Sequence, residues 1–366
     1  MATTAHLGGA AHHRGVVDPP PDGDTVRLIG AGSWWDAGHT GQGVDVAVVD
    51  TGVAPLAQFE RRLVAGVDLT GFGDPFADRS GHGTHLASLI AGVPAPGAPE
   101  DGASGVAPSS RIVSVKVADH DLDTDIEAVI AGLEWVLSHG RSGELRVRVV
   151  NLAFCATPRA TYRIDPLARA VEQLWHEGIV VVASAGNVGG PHGLASPAYD
   201  PFVIAVGAAD ELGHACDFST GSRPDGWRTV DLLAPGRSVR GARAPGSLAD
   251  QLGTNDGVPI GVVRGSGTSQ AAALVAGAAA LVLGAHPDWA PDSVKHALVR
   301  SARPGVDGPI LDLHDVITSV DAADARQGHP RAMLPLANAR RGSHWAGSRW
   351  AGSRWAGSRW AGSRWA

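Results

Sequence analysis

Three short stretches carry residue types suited to nucleophilic chemistry: Val46-Ala47-Val48-Val49-Asp50-Thr51-Gly52, Gly81-His82-Gly83-Thr84-His85 and Gly267-Thr268-Ser269-Gln270-Ala271. Each places a reactive side chain in a glycine-marked turn beside an apolar run. A serine hydroxyl is inert at neutral pH until a histidine takes its proton. A buried carboxylate must then fix the histidine tautomer and stabilise the imidazolium. Asp50, His82 and Ser269 are thus candidates for orienting acid, general base and nucleophile. Taken singly, each has a plain structural role: a turn acid, a helix-start residue and an N-cap. Their joint presence favours acyl-transfer chemistry.

Something must position these groups. Apolar, strand-like segments occur at 44–49, 112–117, 147–152, 179–183, 202–206 and 230–233. Amphipathic helical patterns lie between them. In 124–138, Ile126, Val129, Ile130, Leu133, Val136 and Leu137 share one face; in 165–176, Leu167, Ala170, Val171 and Leu174 do. Apolar strands alternating with such helices predict an α/β fold: a doubly wound, mostly parallel central sheet with helices on both faces. Functional groups in such sheets gather at the carboxyl ends of strands. Asp50 ends one strand there and Asn187 follows another. His82 and Ser269 instead begin apolar helical runs, 82–91 and 269–283. A helix start presents free N–H groups and the positive end of the dipole.

The chain order Asp, His, Ser is that of subtilisin, unlike chymotrypsin or the α/β-hydrolases. A fourth motif, Val180-Val181-Val182-Ala183-Ser184-Ala185-Gly186-Asn187, completes the pattern. The chain resembles the subtilisin-like serine proteases, the subtilase family. Weaker matches fall in the family's order: Gly105-Val106-Ala107-Pro108, Val203-Ile204-Ala205-Val206-Gly207 and Leu233-Ala234-Pro235-Gly236. The resemblance implies a peptidase domain over residues 26–320, a serine endopeptidase acting on peptide or protein substrates. It makes Asn187 the side-chain half of an oxyanion hole, beside the Ser269 backbone N–H. In subtilisin itself, losing one such donor costs about 2.7–4 kcal/mol. It also implies that Ala153, Phe154, Cys155, Ala185 and Gly186 line the substrate groove. The resemblance implies no required cofactor but leaves a structural calcium ion open. The family's structural calcium sites find no assignable counterpart. His85 matches a family histidine that binds no metal, so no metal is assigned.

Two departures stand out. Around the nucleophile the family usually reads Gly-Thr-Ser-Met-Ala-(Ser/Ala)-Pro-His; here it reads Gly267-Thr268-Ser269-Gln270-Ala271-Ala272-Ala273-Leu274. The missing proline and histidine should alter helix packing more than chemistry. The family's substrate-binding strand typically carries a Gly-Gly pair; here it reads Asn151-Leu152-Ala153-Phe154-Cys155-Ala156. Glycine admits close backbone approach. Cys155 and Ala156 add bulk beside the primary pocket, which implies a narrow or unusual cleavage preference.

Net charge is −7, unevenly spread. Six arginines and no acid fall within 340–366, so residues 1–339 hold 24 basic against 37 acidic side chains. An acidic body argues against nucleic-acid binding. Only two lysines occur, Lys116 and Lys295, a usage that reads as coding bias. The two cysteines, Cys155 and Cys216, form no CxxC pattern and read as buried small apolar residues rather than a disulfide. No signal peptide or transmembrane segment is recognised; the apolar run 271–283 is too short to span a bilayer. A cytoplasmic location is expected. Residues 1–25 read as disordered, and no folded prodomain pattern precedes Asp50.

Residues 321–344 read as a linker, and 345–366 as a disordered tail repeating Trp-Ala-Gly-Ser-Arg, with Trp345, Trp350, Trp355, Trp360 and Trp365. A five-residue step accumulates tryptophan on no helix face and alternates faces on a strand, so the tail should not join the core. Three readings remain open. The tail binds a membrane surface or anionic partner, is a neutral repeat expansion, or is a substrate for a modifying partner enzyme. The last suits maturation of a ribosomal peptide. A non-catalytic carrier displaying the repeats is the rival to the endopeptidase.

Overall fold

The computed structural model describes residues 25–94, 104–120, 124–156, 161–190, 192–221, 228–252, 259–314, 327 and 329. The segment expected to be disordered up to 24, most of the 321–344 linker and the 345–366 tail lie outside the described residues.

The chain forms α1 (Thr25–Leu28), α2 (Ala31–Asp36), β1 (Asp45–Asp50), β2 (Leu63–Asp68), α3 (His82–Ala91), β3 (Arg111–Lys116), α4 (Ile126–His139), β4 (Val147–Leu152), α5 (Pro166–His176) and β5 (Val180–Ser184). Then follow β6 (Ile204–Ala209), β7 (Leu232–Pro235), β8 (Val239–Ala242), α6 (Leu248–Leu252), β9 (Val262–Gly265), α7 (Thr268–Ala285), α8 (Pro291–Ser301), β10 (Arg303–Pro304) and β11 (Pro309–Ile310).

A nine-stranded sheet runs in the order β10-β11-β7-β6-β5-β4-β1-β3-β2. It is parallel except for the β10–β11 pair. The strand order reverses around β1: β3 and β2 lie on one side, β4 to β7 on the other. That switch point is where open parallel sheets place their sites. Every residue of β1, β5 and β6 is buried, which requires cover on both faces. The layers supply it: α3 packs beside α7, and α4 beside α5. This is the doubly wound α/β architecture that the alternation predicts.

The helices begin where capping chemistry puts them. Asp125 accepts from Ala128 N at 2.6 Å and Asp165 from Leu167 N at 2.8 Å, starting α4 and α5. Each cap satisfies an otherwise orphaned donor and contributes about 1 kcal/mol. All residues of α7 from Thr268 to Leu283 are buried, so this apolar helix is the domain's central packing element. Burial contributes about 1.5–3 kcal/mol for each of its Leu and Val side chains. It is long and apolar enough to cross a membrane by composition, but here it is inside the protein.

Strand boundaries shift by a few residues from those expected. The first strand includes Asp50, because pairing with β3 persists to Asp50 opposite Lys116. The expected strand 202–206 begins later, at Ile204, since Asp200 turns the chain by accepting from Phe202 N. β2 and the β8–β9 hairpin give no sequence pattern: β2 is half-buried throughout, and arginines interrupt both hairpin strands. Thr25 already belongs to α1. Gln327, placed in the linker by composition, donates to the Phe202 carbonyl at 3.1 Å and to Asp292 at 3.0 Å, so domain contacts extend past residue 320.

Candidate active site

Asp50 closes β1 at the switch point, and His82 opens α3. They meet directly: His82 Nδ1 lies 2.8 Å from Asp50 Oδ1, with both side chains wholly buried. The approach depends on Gly83. A Cβ there would lie 2.1 Å from the Gly52 carbonyl oxygen and 3.2 Å from Asp50. Burial opposes charging of His82, but the Asp50 charge and hydrogen bond, with Asp78 behind them, outweigh it and hold the imidazole above its usual value. With Nδ1 on Asp50, Nε2 is the nitrogen placed to take a proton.

A second carboxylate sets this geometry. Asp78 accepts from Thr51 Oγ1 at 2.8 Å and Gly81 N at 2.7 Å through one oxygen. It accepts from Thr84 N at 2.8 Å and Thr84 Oγ1 at 2.6 Å through the other. Gly81 has no side chain to cap α3, and Asp78 does so from outside the helix. Thr51 completes the clamp: its N–H donates to Asp50 Oδ1 at 2.8 Å, and its hydroxyl accepts from Gly83 N at 3.0 Å. Lys116 fixes the same loop from below, donating to the carbonyls of Thr51 at 3.0 Å and Ala77 at 2.7 Å. The two lysines are therefore buried structural ties; Lys295 likewise donates to Pro201 and Val203. Composition alone read them as coding bias, because nothing local marks a lysine ending an apolar strand as buried.

Ser269 stands in the first turn of α7. Gly267 N donates to the Gly236 carbonyl at 2.8 Å, tying the nucleophile turn to the Leu233-Ala234-Pro235-Gly236 segment. Ser269 is buried, and its Oγ forms no hydrogen bond among the described residues. α3 and α7 pack side by side, and their first turns approach each other across Gly265, where a Cβ would lie 2.6 Å from Gln270 Nε2 and 3.0 Å from His85 Nε2.

Asn187 is locked by the same turn. Its Oδ1 accepts from Thr268 N at 2.8 Å and Thr268 Oγ1 at 2.9 Å, and the Thr268 hydroxyl also accepts from Gly186 N at 3.2 Å. Gly186 has φ +112°, a backbone conformation that excludes most side chains. Fixing the amide oxygen fixes the direction of the NH2, the preorganisation an oxyanion donor needs.

Ala153, Phe154 and Cys155 leave the carboxyl end of β4, and Ala185 and Gly186 leave that of β5, so all five lie on the rim holding Asp50 and Asn187. All are buried. The Cys155 thiol lies 3.2 Å from the Ser184 carbonyl oxygen and 3.1 Å from its Oγ. Its bulk therefore spans the gap between the two exits. Burial pushes this thiol up to about 12, so it is not a nucleophile at neutral pH. Cys155 and Cys216 are both free and buried. His85, inside α3, is pushed down to about 3 by burial and by His82, so it stays neutral.

Asp78 and Thr51 are the participants that the motifs alone did not single out. The available signal was an acid four residues before the base and a hydroxyl directly after the acid.

A model of the subtilase family matches residues 41–329, most of the chain. The chain belongs to the subtilase family. Serine protease AprX of Bacillus subtilis is 36% identical over 272 residues, covering 71% of this chain and 61% of that protein. Subtilisin of Bacillus pumilus is 31% identical over 281 residues, covering 76% of this chain and 90% of that protein. The chain thus spans less than two thirds of AprX but nearly all of this subtilisin. A solved cold-adapted subtilisin-like serine proteinase superposes with a TM-score of 0.60 at 27% identity, covering 75% of this chain and 89% of that one.

Proposed function

We propose that this protein is a serine endopeptidase that hydrolyses peptide bonds through an acyl-enzyme. The observation that carries the reading is the buried 2.8 Å contact between Asp50 and His82 at the start of α3, the helix packed against the α7 that carries Ser269. Ser269 Oγ attacks the scissile carbonyl while His82 Nε2 takes its proton. Asp50 holds the tautomer and stabilises the imidazolium, remaining ionised itself. The Asn187 amide and the Ser269 N–H stabilise the oxyanion. His82 then protonates the leaving amine, and water repeats the sequence to release the acid.

Support comes from the family, whose relatives here are named proteases, and from the orientation of Asn187 by Thr268. A serine-directed fluorophosphonate should label Ser269 in the folded protein, and Ser269→Ala should abolish labelling and hydrolysis. In subtilisin, loss of nucleophile or base costs about 10⁶ in turnover. Absence of labelling in folded wild-type protein would reject the enzyme and leave a carrier.

The repeat tail supports a narrower role. Five near-identical Trp-centred copies suit recognition by a modifying partner enzyme, as in maturation of a ribosomal peptide. Intact-mass measurement in the native host should then show a change mapping to the repeats. A mass equal to that of the sequence would reject this role.

A further inference from the structure

Gln270 directly follows Ser269 in the first turn of α7 and has no part in the triad chemistry, yet it is wholly buried. Neither Nε2 nor Oε1 of its amide makes a hydrogen bond among the described residues. A buried amide costs stability until it finds a partner. Asn151 is alike in this. For Gln270, the β8–β9 hairpin shows what stands opposite.

The hairpin register puts Gly241 and Gly265 on one face. A Cβ at Gly241 would lie 2.7 Å from both Nδ1 and Cε1 of His85. One at Gly265 would lie 3.0 Å from His85 Nε2 and 2.6 Å from Gln270 Nε2. The His85 ring therefore spans the two glycines, with Nε2 at the end where the Gln270 amide lies. Ser88 fastens α3 to this face: its Oγ donates to the His85 carbonyl at 2.6 Å and accepts from Ala242 N at 2.7 Å.

The two side chains are chemically complementary. His85 is held neutral, so its ring offers one N–H and one lone pair. The amide offers a donor at one end and an acceptor at the other. A half turn about its last bond exchanges the ends, so it can meet either tautomer. Both side chains are next to catalytic ones. His85 stands three residues after His82, on the same side of α3. A hydrogen bond between Gln270 and His85 ties the turn that carries the nucleophile to the helix that carries the base.

We propose that Gln270 is a positioning residue: its amide closes a hydrogen bond with Nε2 of His85 as Ser269 reacts, and so fixes the start of α7 against α3. This rests on the endopeptidase reading. Hydrogen bonds that are open in a free enzyme commonly tighten in its reacting complex. One that forms only there speeds the reaction without tightening ground-state binding.

The test is labelling of the full chain by a serine-directed fluorophosphonate, resolved into a binding constant KI and a reaction rate kinact. Gln270→Leu keeps the side chain buried and removes the amide. Its kinact should fall about tenfold, the scale of one hydrogen bond, with KI changed by less than about twofold. Its melting temperature should be no lower, because an unpaired amide has left the interior. On a His85→Leu background, Gln270→Leu should slow labelling no further. Wild-type kinact in Gln270→Leu overturns the proposal. So does a loss accompanied by a lower melting temperature, or one that persists in full on the His85→Leu background. If a variant fails to fold, a crystal structure of the labelled wild type decides. The amide within about 3.2 Å of His85 Nε2 supports the proposal, and a wider separation overturns it. Folded wild-type protein that takes no label overturns the endopeptidase reading instead.

Discussion

At the scale of single residues, the site is a pair of carboxylates acting on one imidazole. Asp50 touches His82; Asp78 holds the segment on each side of it through four accepted hydrogen bonds. The charged or titratable neighbours of His82 include Asp50, Asp78 and His85, and His85 is neutral. His82 must be neutral to accept the serine proton, and its value is raised. Activity should therefore fall as pH drops through a point above the usual imidazole value of about 6.5. The pH profile of kcat/KM checks this; an acidic limb at or below that value would contradict it. Asp78→Asn removes one of the charges raising His82, so the acidic limb should move to lower pH. The amide also turns donors against the N–H groups of Gly81 or Thr84, costing about 1–3 kcal/mol in stability by denaturant unfolding. An unmoved limb in folded Asp78→Asn would show that Asp78 serves architecture only. Cys155→Gly opens the gap between the exits of β4 and β5. Cleavage after bulkier residues should increase in a peptide-library profile; an unchanged profile would displace Cys155 from the pocket.

At the scale of elements, two helix starts and two strand ends converge, and small residues let them do so. α3 can seat its first turn against the end of β1 only because position 83 lacks a Cβ. In Gly83→Ala the new atom meets backbone oxygen, which cannot rotate away. The helix start must shift, and His82 with it. Overpacking of this kind costs about 1–3 kcal/mol or more. We expect a lower melting temperature together with at least a hundredfold loss of kcat/KM, since small misplacement of catalytic groups is costly. Retention of full activity would mean that the Asp50–His82 contact tolerates movement of α3. The Ser269 turn shows the same logic: Thr268 binds Asn187, and Gly267 binds Gly236, so Asn187 and the start of α7 move as one unit.

At the scale of the whole molecule, the repeat period leads us to expect that the domain and the tail are separable. The period of the tail presents no regular apolar face. Deleting 345–366 should leave the melting temperature and hydrolysis of a small peptide nearly unchanged. Truncation after 320 should not be neutral, because Gln327 bridges Asp292 and Phe202. Removing those hydrogen bonds should cost about 1 kcal/mol each at most. Thermal melts of the two truncations side by side check both expectations. A large drop on deleting 345–366 would mean that the tryptophans pack on the domain.

The sequence by itself determined the α/β alternation and the apolar helix that begins at the Ser269 turn, and it singled out Asp50, His82, Asn187 and Ser269 as candidates. The reason is local: apolar runs between amphipathic segments and glycine-marked turns leave their signature within a few neighbouring residues. The tertiary structure decided what depends on residues distant in the chain. Thr51 and Asp78 form a clamp only when β1 and α3 meet, 27 positions apart. Lys116 becomes a buried tie only when the Thr51 and Ala77 carbonyls converge on it. Arg240 and Arg264 become neighbours only through strand register, which neither strand's pattern encodes because charge interrupts both. Hydrogen bonds and charge pairs act over a few ångströms, so their partners are set by the path of the backbone.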